Sequence, residues 1–183
     1  MTIRDIAGFC PEEAIWKMMA DVSEYILKDQ VDYLLSPDSV MIDGNMFMVE
    51  AGQDCLREFM APEQIDSHNS NEEGIIWSLG AVVYYMATGH VIFGGHGGSY
   101  QKYHPNVPLP ILPKGLQALT PVIQRCLCYN LNERISMKDL NELSVKGLAS
   151  CKQQRKKVVA TEKKIDRKVN YNGEKWPEEM IEI

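Results

Sequence analysis

The sequence predicts a mainly α-helical domain with one small β-hairpin. Three observations carry that expectation. Ile15, Met18, Met19, Val22 and Ile26 recur at three- and four-residue spacing, drawing one apolar stripe along a helix of about residues 11–29. Residues 74–88 hold Ile75, Ile76, Trp77, Leu79, Val82, Val83, Tyr84 and Met86, apolar groups on every side, so a helix there is buried all round. The runs Val40-Met41-Ile42 and Met46-Phe47-Met48-Val49 are separated by Asp43-Gly44-Asn45, residues suited to a tight turn between antiparallel strands.

The remaining elements follow in chain order. Thr2 with Asp5 forms the pattern of a capping box opening a short helix, which Gly8 ends. Pro11-Glu12-Glu13 then starts the first long helix, with proline at its first position and acids against the positive end of the dipole. The polar stretch 64–73 reads as a loop plus a helix cap, and Gly94–Gly98 as a flexible loop. Pro105, Pro108, Pro110 and Pro113 impose an extended path. Leu116, Leu119, Val122, Ile123, Cys126 and Leu127 mark a second amphipathic helix over about 114–128. Ser136 and Asp139 cap a third, carrying Met137, Leu140 and Leu143. From Cys151 the apolar pattern stops, leaving a stretch that is solvated or marginally helical. The organisation expected is therefore a body of residues 1–150 and a basic tail of residues 151–183, mobile or docked. Trp176, Met180 and Ile181, close to the end, give that tail the look of a docking segment.

At 183 residues, 45% hydrophobic and 24% charged, the chain has the composition of an ordinary soluble domain. No apolar run approaches a membrane span, and the first residues do not read as a signal peptide. The five cysteines (Cys10, Cys55, Cys126, Cys128, Cys151) lack zinc spacing and read as free thiols, which points to a cytoplasmic setting. The net charge of −6 is polarised: residues 151–183 carry nine basic and six acidic side chains, or +3, leaving −9 on residues 1–150. An acidic body favours basic partners, or contact with its own basic tail.

A set of motifs in fixed order resembles the C-terminal lobe of protein kinases. Leu35-Ser36-Pro37-Asp38-Ser39-Val40-Met41-Ile42-Asp43 is similar to the later part of a kinase catalytic loop, and Glu50-Ala51-Gly52 falls where D-F-G belongs. Ala61-Pro62-Glu63 matches A-P-E, Trp77-Ser78-Leu79-Gly80 matches the tryptophan helix, and Asn132-Glu133-Arg134-Ile135-Ser136 resembles the late arginine motif. The resemblance implies a kinase C-lobe-like helical domain in which Glu63 and Arg134 pair and Trp77 sits in the core. It also shows what chemistry is lost. The catalytic-base position holds Leu34, the metal-binding asparagine position holds Ser39, and the D-F-G aspartate is Glu50. No glycine-rich phosphate loop and no V-A-I-K lysine stand among the 58 residues before Phe59.

That combination is most similar to the kinase non-catalytic C-lobe domain (KIND), a family of protein-interaction modules. The opening agrees: Thr2–Ile6 followed by Glu12-Glu13-Ala14-Ile15-Trp16 resembles the family's leader turn and first helix. The resemblance implies no enzymatic activity, no cofactor and no metal. It implies another protein as partner, gripped through a basic segment. Asp43, Glu50, Asp54 and Glu58 are the candidate binding residues on the body, and Trp176, Met180 and Ile181 those on the tail. Self-association through the tail stays open. The alternative reading is the C-terminal half of a split or degenerate kinase that needs an N-lobe in trans; Leu34 and Glu50 count against it, because a supplied N-lobe restores neither base nor metal ligand.

Other signals are weaker. His96 and His104 flank Tyr100 and Tyr103, but two imidazoles without a third ligand favour loop polarity over a metal site. Gly94–Gly98 lacks the strand before and helix after that give phosphate loops their meaning. The run Lys152–Lys168 holds eight basic residues yet no aromatic to stack on a base, so neither nucleic acid nor membrane is the expected partner.

Overall fold

The computed structural model describes residues 1–29, 35–50, 56–67 and 71–166. The fold is mostly helical with one two-stranded antiparallel sheet, in the manner of a kinase C-lobe. Helix α1 spans Glu12–Asp29. Its stripe of Ile15, Met18, Met19, Val22 and Ile26 is entirely buried, as the spacing requires. Before it, Ile3–Asp5 forms a single 3₁₀ turn closed by the Thr2 N–H donating to Asp5 Oδ2 at 2.8 Å.

Strands β1 (Val40–Asp43) and β2 (Met46–Val49) pair with Ile42 opposite Phe47 and Met41 opposite Met48. Gly44, with φ of 56°, supplies the positive φ that the first position of this two-residue connection needs. Alternation then sorts the faces: Phe47 and Val49 point into the core, Met46 and Met48 out of it. Both edges of the ribbon are covered. The Ile42 N–H donates to Met1 O at 2.8 Å, and the Phe47 N–H donates to the Asp21 carboxylate of α1 at 3.0 Å.

After the short helix α2 (Gln64–Ser67), the central helix α3 runs Glu72–Thr88. Asn71 caps its start by accepting from the Gly74 N–H at 2.8 Å, and Gly89 closes its end in the left-handed conformation. Every residue from Gly74 to Val83 is buried, with Trp77 and Leu79 wholly so. Each such large side chain contributes about 1.5–3 kcal/mol by leaving water.

The Gly94–Gly98 segment differs from its expected loop. A turn at Phe93–Gly95 leads into helix α4 (Gly97–Tyr103), which begins on two of those glycines. The expected helix over 114–128 is also shorter. Gly115, at φ 96°, breaks it, and after a 3₁₀ turn at Gln117–Leu119 helix α5 spans only Thr120–Cys126. Helix α6 runs Met137–Asp166, well past the point where the apolar pattern ends.

Two compact units divide the chain at Met1–Leu148 and Ala149–Ile183. In the first, α6 buries Met137, Leu140 and Ser144, and Gly147 lies against the Trp16 ring, where a Cβ would not fit. In the second, the helical side chains from Lys152 to Val159 are exposed. No helix among the described residues is long and apolar enough to cross a membrane.

Candidate interaction surface

Arg134 ties the late helices to the segment before α2. Its side chain is fully buried, and Nη1 donates to Glu63 Oε1 at 2.6 Å. The guanidinium also donates to Glu73 O at 2.7 Å and to Cys128 O at 2.8 and 3.0 Å. Three separate stretches of chain thus converge on one planar fork, a task lysine's point charge does not perform. Glu63 keeps one edge in water, with 26% of its side chain exposed. Nearby, Glu72 accepts from the Met137 N–H at 3.0 Å and so caps α6 from the first turn of α3.

Trp77 is held by a second buried relay. Its Nε1 donates to Gln101 Oε1 at 2.7 Å, and Gln101 Nε2 donates to Leu127 O at 2.8 Å. Both side chains are almost entirely out of water, and every polar atom of the relay is used. The helix carrying Gln101 reaches this depth because its first residues are glycines. A Cβ on Gly97 or Gly98 would collide with the backbone at Glu58 O or Met60 O. The relay and this close approach had no sequence signal beyond the paired glycines themselves.

Ser39 and Glu50, two of the positions that the resemblance aligns with kinase chemistry, lie beside the hairpin. Ser39 is wholly buried, and its hydroxyl is committed to its own turn: it accepts from the Ser36 N–H at 2.9 Å and donates to Ser36 O at 3.0 Å. The hydroxyl therefore faces inward. The Glu50 N–H donates to Ser39 O at 2.8 Å, which joins the end of β2 to the same turn. The Glu50 side chain is exposed. At the other end of the ribbon, Asp43 is exposed beside the turn. Between them the outer face presents Met46 and Met48, 59% and 40% exposed, with Met41 half-buried across from Met48. The Arg4 guanidinium grips Asp38 through two 2.6 Å bonds, which holds the carboxyl below the usual carboxylate range and neutralises this acid.

Of the residues expected at the surface, Asp43 and Glu50 flank one exposed face, whereas Glu58 is half-buried in a 3₁₀ turn at Arg57–Phe59. Leu34, Asp54, Trp176, Met180 and Ile181 lie outside the described residues. The sequence did not show the ring cluster around Tyr100 of α4. Tyr100 stacks against Phe93, His96 and His104, with centroids 6.2, 6.3 and 4.4 Å away. An open cleft of about 450 Å³ lies between Tyr100, Tyr103 and the turn at Pro105–Pro108. Cys10, Cys126 and Cys128 carry free thiols, and burial pushes Cys126 up to about 12 and Cys10 up to about 11.

A family model described as Protein kinase domain matches residues 51–145, just over half of the chain. The chain belongs to the protein kinase domain family. The match begins one residue after Glu50 and runs through Arg134 into α6, the part whose anchors are described above. Among curated proteins, the zebrafish (Danio rerio) dual specificity protein kinase Ttk is 24% identical over 160 residues, an alignment covering 70% of this chain. The chain spans 16% of that relative's length.

Proposed function

We propose that this kinase-family chain is a non-catalytic interaction module, similar to the kinase non-catalytic C-lobe domain. In this reading the outer face of its hairpin receives a basic partner segment with apolar anchors. Ser39 carries the non-catalytic part. A metal ligand must offer its oxygen to the cleft, and this hydroxyl is buried and closed on Ser36. Leucine at position 34 cannot orient a nucleophile, and eight residues between Gly52 and Ala61 leave little chain for a substrate platform. The kinase activity in the name of the zebrafish relative is therefore not carried over.

The hairpin face carries the binding part. Exposed methionines adapt their shape to different apolar groups, and Asp43 and Glu50 at the two ends select positive charge. The test is titration of the whole chain with a labelled peptide of interspersed lysine and leucine, read by fluorescence anisotropy. The wild type binds saturably, and Asp43→Lys with Glu50→Lys weakens binding about tenfold or more. Equal affinity for the double variant, or for an acidic peptide of the same length, removes the hairpin face from the account.

A further inference from the structure

We infer that the occupant of the hairpin face is the basic helix of a second copy of this chain. The inference rests on the reading of that face given above and names its partner. The two surfaces are complementary in charge: the first 150 residues carry −9 and the remainder +3. Within the second unit, Lys152, Arg155, Lys156 and Val159 stand at i, i+3, i+4 and i+7 of α6 and so share one helix face. That face presents three cations and one aliphatic group, all exposed. The hairpin offers the converse, methionines between two exposed carboxylates.

The lengths also agree. From Met46 to Glu50 the strand path is about 14 Å, at about 3.4 Å per residue. From Lys152 to Val159 the helix rises about 10 Å, and flexible lysine arms cover the remainder. The side chains from Lys152 to Val159 are exposed in the second unit, and Met46 and Met48 are exposed in the first. A second copy supplies each surface with its complement. Because the surfaces differ, the contact is head-to-tail, closing reciprocally into a dimer or continuing into longer oligomers.

The test is sedimentation velocity of the full chain across a concentration series at about 0.05 M and about 0.5 M salt, where the screening length shrinks severalfold. At low salt the mass should rise above the 20.8 kDa monomer with concentration, and it should return to the monomer at high salt. Reversing the helix charges (Lys152→Glu, Arg155→Glu, Lys156→Glu) should abolish association, as should Asp43→Lys with Glu50→Lys. Combining both sets in one chain should restore it. Three outcomes overturn the inference: a monomer under all conditions, association unaffected by either set, or salt-dependent protection of the helix at constant monomer mass. Binding of the basic helix to a DNA duplex or to phosphatidylserine vesicles with the protein still monomeric overturns it too. If the lysine–leucine peptide still binds the hairpin face in a chain that stays monomeric, the module reading stands and only the second-copy inference fails.

Discussion

The Arg134–Glu63 pair should hold the family's architecture together in this chain, and its removal has a predictable cost. Replacing Glu63 by leucine leaves a guanidinium whose side chain is fully buried, with Cys128 O and Glu73 O still accepting from it but no counter-charge. Stranding a buried charge in this way costs about 3–5 kcal/mol. Glu63 itself is 26% exposed, so water offsets part of the loss and the lower end of that range applies. Arg134→Leu spares the stranded cation but removes the donor from two backbone carbonyls at about 1–3 kcal/mol each, for a similar total. At about 2–4 °C per kcal/mol for a chain of this size, a cost of about 3 kcal/mol lowers Tm by roughly 6–12 °C in either variant. Urea denaturation of both single variants and the double variant gives the coupling. The double variant should lose clearly less than the sum of the singles, because neither charge is then left alone. If each single variant costs under about 1 kcal/mol, the value of an exposed pair, the anchor role is wrong.

Three further outcomes follow from the same contacts. Gly98→Ala puts a methyl into the Met60 carbonyl, so it should destabilise by about 3 kcal/mol or more, visible in the denaturation midpoint. Gln101→Leu leaves the Trp77 indole N–H and Leu127 O without partners and should cost about 2–4 kcal/mol, with a shift in tryptophan emission. The Cys126 thiol is raised from 9.0 to about 12 by burial, so its neutral form is favoured in the folded chain. Its contribution to stability is complete below pH 9 and is lost as pH rises toward 12. Cys126→Ala should therefore flatten the alkaline fall of stability in that window, and an unchanged slope would count against the assignment.

Much of this was legible in the sequence wherever the signal was local or came in a fixed order. The Asp43-Gly44-Asn45 turn and the α1 stripe follow from backbone chemistry and periodicity alone. The partners Glu63 and Arg134, 71 positions apart, could be matched only through the motif order, since no periodicity links them. Helix α4 was not legible. Two glycines at its start cost about 1 kcal/mol each in helix propensity, and the helix forms because tertiary contacts at Glu58, Met60 and Trp77 outweigh that. The extent of α6 beyond Cys151, which the sequence left open between solvated chain and marginal helix, has a different reason. Its apolar pattern stops near Cys151, but Lys, Gln, Arg and Ala are good helix formers and no glycine or proline interrupts them before Asp166. The inward turn of the Ser39 hydroxyl was also beyond the sequence, because a serine at that position reads equally as a weak ligand.

The central claim is that a kinase-family fold here binds without transferring phosphate. It is tested most directly by titrating ATP with Mg²⁺ or Mn²⁺ into the full chain, following both thermal stability and phosphate incorporation. The account predicts no saturable rise in Tm and no incorporation with either metal, because position 34 is leucine and the Ser39 hydroxyl is closed on its own turn. A saturable, metal-dependent rise in Tm accompanied by autophosphorylation, both abolished by Glu50→Ala, would contradict it.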